Sequence, residues 1–389
     1  MASSSRRGPL SDLRVVEVAS VGPGPFAAMM LADLGADVIR LERPEAVGVG
    51  RPAEFILNRG RRSVAVNLKH AEGAELVLRL AESAEVLIEG FRPGVAERLG
   101  IGPEVCLRVN PRLVYGRATG WGQHGPYAMS PWHDINYIGV TGALKAIGRA
   151  SGRPAPPLNL LGDFGGGGML LTVGVLAGVM ESRRSGLGQV VDAAMVDGAA
   201  LLTTYIVSLV SNGSWQDGLE RNYLDGANPF YDVYLTSDGE YVAVGALEPK
   251  YRRALLEELK IVADVPDEPE REDWPRIRAL LEEAFIGRSL DEWAALFGRS
   301  DLALSPVHSF GDASTNPHSR ARGTYVEIDG VPQPAPAPRF SRTQLPVPEP
   351  ASLPGSDAVE ALHAWGLGPH EIEGLLRTGA VLQVVNEPQ

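Results

Sequence analysis

The sequence predicts an α/β protein built on a parallel sheet, and three observations carry that prediction. Residues 13–19 (LRVVEVA) form a short apolar run with strand character, followed by a Pro/Gly turn, by FAAMMLADLGA with apolar residues at helical spacing up to a Gly35 stop, and by the strand-like DVIRLE. A strand–helix–strand order of this length joins parallel strands by a crossover. The pattern then recurs: residues 63–68 (SVAVNL) alternate like a strand, 71–81 read as an amphipathic helix, 85–89 (EVLIE) as a strand, and 113–117 (LVYGR) as another.

Composition limits what such a protein does. The 389 residues suffice for two packed domains, and 44% hydrophobic with 22% charged is ordinary for a globular chain. A formal charge of −12 argues against nucleic acid or an anionic membrane as partner. The single cysteine, Cys106, excludes an intrachain disulfide and a cysteine-based zinc site; it reads as a small buried hydrophobe and suits a reducing, cytoplasmic setting. MASSSRRGPL has two arginines with no apolar stretch behind them, so it reads as a lead-in and not a secretory signal. The apolar runs 169–180 and 199–210 are too short to span a bilayer, which needs roughly 20 residues, and read as buried helices.

The turn Gly22-Pro23-Gly24-Pro25-Phe26-Ala27 matches G-x-G-x-x-A, with Glu42 placed as a ribose-binding acid would be. A nicotinamide site is nevertheless disfavoured. A pyrophosphate loop works through backbone N–H groups, and Pro23 and Pro25 have none. Downstream, Arg40, Arg43, Arg51, Arg59, Arg61, Arg62 and Lys69 make residues 40–69 locally basic, as a ligand with several phosphates would require. Arg92 and Arg98 follow the 85–89 strand, at the end where open α/β sheets bind ligands.

The stretch from Trp132 to Gly168 concentrates the acid–base chemistry. It opens on His133-Asp134 and closes on Asp163 followed by four glycines, placing a proton-transfer group on each of two segments. A helix is expected over 168–182, ended by Arg183, Arg184 and Gly186, and a second, capped by Asp192, reaching residue 210. Residues 211–230 read as a linker. A hairpin at 231–236 and 240–245 with helices at 250–260, 275–285 and 289–298 makes a smaller α+β domain. PQPAPAP at 332–338 is a return linker, and helices near 358–365 and 370–378 are expected to pack back on the first domain.

With these motifs in place, the chain resembles the family III CoA-transferases, and within them the branch that racemises acyl-CoA thioesters. The matching stretches include GPLSDLRVVEVASVGPGPFAAMMLADLGADVIRLERP, IEGFRPGVAERLG, TGWGQHGPYA, HDINYIGVTGAL, PPLNLLGDFGGGGM and GQVVDAAMVDGA, in order along nearly the whole chain. The resemblance implies a Rossmann-like large domain formed by 1–210 and 331–389, a small domain at 231–330, and an interlocked homodimer. It implies interconversion of (R)- and (S)-2-methylacyl-CoA through an enolate, with His133 serving the S face and Asp163 the R face. Glu248 would orient His133, and Asn159 and Tyr137 would position Asp163. CoA contacts would fall on Arg43, Val66, Asn67, Leu68, Lys69, Gly90, Phe91, Arg92, Pro93, Gly94, Val95, Arg98, Trp132, Asp134, Ile135 and Asn136. No metal and no cofactor beyond the substrate's own CoA are expected. The rival within the family is a CoA-transferase, with Asp163 as a nucleophile that carries CoA as an aspartyl thioester.

From the residues alone, the enolate oxygen would be met by backbone N–H groups at Asp163 and the glycines after it, at a helix start. Leu160, Leu161, Met195 and Leu247 would supply an apolar acyl surface. The remaining histidines, His70, His124, His308, His318, His363 and His370, are expected to be structural or exposed.

Overall fold

In a computed structural model, residues 8–49, 55–131, 133–299 and 301–384 are described. The chain forms two compact units, one containing the chain up to Thr141, Leu158–Leu202 and the chain from Arg320, the other Gly142–Pro157 and Thr203–Ser319.

The first unit is a twisted sheet with helices on both faces. Its strands are β1 (Arg14–Val18), β2 (Asp37–Glu42), β3 (Arg62–Val66), β4 (Val86–Glu89), β5 (Val114–Thr119) and β6 (Gln189–Ala194). Its helices are α1 (Pro23–Asp33), α2 (Ala71–Ala81), α3 (Val95–Arg98), α4 (Pro103–Val109), α5 (Asp134–Val140), α6 (Leu170–Ser185) and α7 (Met195–Leu202). In space the strands run β3-β2-β1-β4-β5-β6, all parallel, with the C-terminal strand Val381–Leu382 added antiparallel outside β3. The chain therefore winds outward from β1 to β3, returns to β4, and winds the other way. The reversal opens a crevice over the carboxyl ends of β1 and β4, where such sheets bind ligands.

Each face of the sheet buries a core. Leu76, Val77 and Leu80 of α2 pack with Val16, Leu41 and Val64 and with Ala358, Leu362 and Ile372 from the C-terminal helices. On the opposite face Ala28 and Leu31 of α1 pack with Leu171, Val175 and Val179 of α6 against Val15, Val38 and Ile88. Cys106 is buried in the first of these cores, its thiol pushed up to about 12 by burial, which makes it inert.

The basic segment departs from the sequence reading. Glu17, in the middle of β1 and fully buried, receives the guanidinium groups of both Arg40 and Arg61, the second at 2.6 Å. Arg59 makes two bonds to Asp33, at 3.1 and 2.6 Å, and Arg62 pairs with Asp37. These four arginines are neither phosphate ligands nor a solvated face. Strands β1 and β2 bring Glu17 and Asp37 to Arg40, Arg61 and Arg62, the end of α1 brings Asp33 to Arg59, and a charge buried beside a sheet must be paired. Burial works against the charge of Arg40, but Glu17 and Glu42 outweigh it and raise its pKa. Burial draws Arg61 down to about 10. Arg51 lies outside the described residues.

Leu160–Met169 forms a π-helix that runs directly into α6, so the helix begins eight residues before the expected residue 168. The combined helix, Leu160–Ser185, has 26 residues, and its most apolar 18-residue stretch has a mean hydropathy of 1.5, long and apolar enough by length and composition to cross a membrane. Leu171, Val175 and Val179, however, are buried in the sheet's core, which marks it as a core helix. The glycine run serves close packing. A Cβ at Gly198 of α7 would sit 1.8 Å from the carbonyl oxygen of Gly166, so the two backbones touch only because neither residue has a side chain. Asp192 lies in β6 and accepts from Gln123 N at 3.0 Å instead of capping a helix, and the expected second long helix is broken at Thr203 into α7 and Thr204–Ser211.

The second unit contains the hairpin β7 (Tyr231–Leu235) and β8 (Tyr241–Gly245), extended by β9 (Leu304–Pro306), around a core of Phe230, Tyr234, Ile277, Leu281, Phe285 and Trp293. Its borders differ from 231–330. Arg149 donates to Glu220 at 2.7 Å and contacts Asp232, drawing residues 142–157 into this unit. At the other end the hairpin Tyr325–Ile328/Val331–Pro334 belongs to the first unit, where Gln333 accepts from Arg59 at 3.0 Å.

Candidate active site

Asp163 reaches the crevice from the first turns of the π-helix. A Cβ placed on Gly22, in the turn after β1, would lie 3.5 Å from Asp163 Oδ2. The ring of Phe164 packs on Phe26 of α1, centroids 4.8 Å apart, and holds this turn against the sheet. Burial raises the Asp163 pKa and Asp134 adds to the rise, while a 3.4 Å hydrogen bond from the Asn159 side-chain amide and the charge of His133 oppose it. A carboxyl so placed accepts and returns protons more readily near neutrality than an exposed aspartate. Replacing Asn159 with alanine removes a bond that favours the carboxylate. The acid limb of the kcat/KM–pH profile is therefore expected to move to higher pH, which a pH–rate series would detect.

His133 caps α5. Its backbone N–H donates to Asn136 Oδ1 at 3.1 Å, and the residue is exposed, with its imidazole close enough to Asp163 to influence its titration. One turn on, Tyr137 is buried against Trp121, ring centroids 4.9 Å apart. Burial and then the Asp163 charge push its phenol up to about 12, so it remains a neutral hydrogen-bond donor.

Asp134 does not face the ligand side as a CoA contact would. It is 5% exposed, and its Oδ2 accepts from the backbone N–H groups of Gly162 at 2.6 Å and Asp163 at 2.7 Å. These bonds also correct the oxyanion assignment: the Asp163 N–H is already occupied, Phe164 N–H donates to Asn159 O at 3.4 Å, and the glycines behind are packed against α1 and α7.

Four cations line the carboxyl ends of the strands without an ion-pair partner among the described residues: Arg43 after β2, Lys69 after β3, and Arg92 and Arg98 after β4, all exposed. The loop and short helix α3 that display the last two are fixed from beneath. Arg117 of β5 donates to Glu89 at 2.9 Å and to Glu97 of α3 at 2.9 Å, and Glu89 accepts from Phe91 N at 2.6 Å. Glu89 and Arg117 were not singled out by sequence; a glutamate and an arginine facing each other on neighbouring strands was the available signal. Burial pushes Glu89 up to about 6.

Other expected contacts divide. Gly90, Pro93, Gly94 and Val95 are half-buried in that same loop, whereas the Val66 side chain is buried in the core, with Leu68 and Phe91 packed against it. Asn67 accepts from Lys69 N at 3.1 Å, and Ile135 is exposed. Trp132 lies outside the described residues. Met195 is buried beside Gly167, which removes it from an acyl surface, while Leu160 is 55% exposed. Glu248 belongs to the second unit, where it precedes the helix Pro249–Glu258. Among the described residues no group of three or more His, Cys, Asp or Glu is placed to hold a metal ion.

Comparison with known proteins identifies the family to which the chain belongs. Residues 10–358 match the family model for CoA-transferase family III. The chain is 41% identical over 368 residues to mouse alpha-methylacyl-CoA racemase, covering 93% of this chain and 95% of that protein. It is 38% identical to the human protein of the same name, with the same coverage. A solved CAIB/BAIF family protein from Brucella suis superposes with a TM-score of 0.80 at 26% identity, over 92% of this chain and all of that one.

Proposed function

Because the chain belongs to CoA-transferase family III, we propose that it is an isomerase, an α-methylacyl-CoA racemase that interconverts (R)- and (S)-2-methylacyl-CoA. The observation that carries this reading is the 2.7 Å bond from Asp163 N–H to Asp134, the neighbour of His133, which brings the segments bearing two proton-transfer groups, His133 and Asp163, together.

Inversion requires removal of the α-proton on one face and delivery of a proton to the other. His133 takes the proton from the S epimer and Asp163 from the R epimer; each returns it in the reverse direction. Asn159 holds the Asp163 carboxylate, and Tyr137 supplies a neutral phenol beside it. CoA runs across the strand ends, its phosphates met by Arg43, Lys69, Arg92 and Arg98. The reaction uses no group beyond the CoA of the substrate, and the buried, unreactive Cys106 suits a cytoplasmic enzyme.

The enzyme acts as a homodimer. Met169 at the end of the π-helix, Val173 and Met180 on α6, Val190 on the edge strand β6, and Leu201 and Leu202 on α7 are 41–75% exposed, and a second copy covering them removes both the apolar patch and the free strand edge.

Incubating one 2-methylacyl-CoA epimer with the enzyme in D₂O tests the reaction: deuterium at the α-carbon with loss of chirality supports it. Transfer of CoA to an added free acid without exchange would instead identify the aspartyl-thioester chemistry of a transferase. Arg43→Ala or Arg98→Ala is expected to raise KM about fivefold, ~1 kcal/mol for one solvent-exposed charged contact. The effect should leave kcat unchanged and shrink with added salt, as steady-state kinetics at two ionic strengths would check.

A further inference from the structure

We propose that Asp134 is a positioning residue that sets the separation between the two proton-transfer groups, acting as a clamp between the start of α5 and the first turn of the π-helix. Asp134 follows His133 in the chain, and the same carboxylate oxygen binds the N–H of Asp163 itself and that of Gly162. One side chain thus ties the backbone of one proton carrier directly to that of the other. The approach is close: a Cβ at Gly162 would meet Asp134 Oδ2 at 2.8 Å and Asp134 Cα at 3.2 Å, so a glycine is needed there for the clamp to close.

Stability alone does not account for this carboxylate. Asp134 is buried, and its second oxygen, Oδ1, has no hydrogen-bond partner among the described residues. A buried carboxylate with one oxygen unsatisfied costs the fold free energy, and such groups persist where they fix a functional arrangement. The geometric demand is specific to a two-base reaction. Proton removal needs one base at the α-carbon, but inversion needs the second held on the opposite side at the same moment. Weakening the clamp therefore impairs inversion more than exchange: a proton removed by one base returns from that base and not from the other.

This inference rests on the racemase reading, and its test separates the two. Wild type, Asp134→Ala and Asp134→Asn are incubated with a single epimer in D₂O, and α-deuteration is compared with loss of chirality. Amide hydrogen exchange of the segment containing residues 160–164 is measured in parallel. The alanine variant is expected to lose protection at Gly162 and Asp163 and to raise the ratio of exchange with retention to inversion severalfold. The asparagine variant, which keeps an acceptor oxygen, covers the case in which alanine fails to fold. It should retain part of the protection and, lacking the charge that raises Asp163, move the acid limb of the pH profile downward. Unchanged amide protection together with an unchanged ratio in the two variants would overturn the clamp. A wild-type enzyme that neither exchanges nor inverts would overturn the racemase reading, and the amide measurement would still judge the clamp.

Discussion

His133→Ala is expected to abolish inversion, lowering it by about 10²–10⁴-fold, while leaving one half of the proton chemistry intact. With Asp163 alone, the (R)-epimer should still take up deuterium from D₂O and keep its configuration, whereas the (S)-epimer should be inert. Asp163→Ala should give the mirror pattern, with exchange only in the (S)-epimer. Chiral chromatography combined with mass spectrometry reads both quantities from one incubation. Equal loss of exchange from both epimers in each variant would mean that the two residues do not serve separate faces. Undiminished racemisation in either variant would remove that residue from the mechanism.

Glu17→Ala is expected to have the largest effect on stability, about 3–5 kcal/mol, because it leaves two guanidinium groups buried without their shared carboxylate. Arg40 retains Glu42 at 2.7 Å, and Arg61 retains the Pro25 carbonyl and Asn58. Neither substitute supplies the lost charge in the middle of the sheet. Chemical denaturation of wild type and variant would measure the difference. Glu17→Gln keeps the shape and one acceptor, so it should cost less than alanine. A Glu17→Ala variant as stable as wild type would show that the cluster contributes nothing net. Because β1 also carries the turn beside Asp163, activity is expected to fall along with stability.

The sheet was legible because its strands are written as short apolar runs at regular spacing, and burial of both faces enforces that pattern. Asn159, four residues before Asp163, was legible from the resemblance, and the structure brings its amide to that carboxylate. What sequence did not disclose is pairing across space. Counting arginines between 40 and 69 suggested a polyanion site, yet Arg40, Arg59, Arg61 and Arg62 meet carboxylates from Glu17, Asp33 and Asp37. Glu17 carried the signal. A glutamate inside an apolar strand in the centre of a sheet has to be neutralised by something. The start of the π-helix was hidden for a similar reason, since its amides are satisfied by Asp134, twenty-eight residues upstream of Gly162. Arg43, Arg92 and Arg98, expected from sequence as CoA contacts, are exposed and have no ion pair among the described residues.

The antiparallel strand Val381–Leu382 and the bond from Arg59 to Gln333 bear on how the protein is made. The large unit receives its outermost strand, two helices and a buried arginine partner from the last seventy residues of the chain, while β1 to β5 come from its first third. During synthesis the sheet leaves the ribosome with the outer edge of β3 open, and it stays open until residues 381–382 have emerged. Contacts between residues this far apart in sequence close slowly, and an uncovered strand edge invites association with other chains. The sheet can therefore be completed only after the second unit has been synthesised.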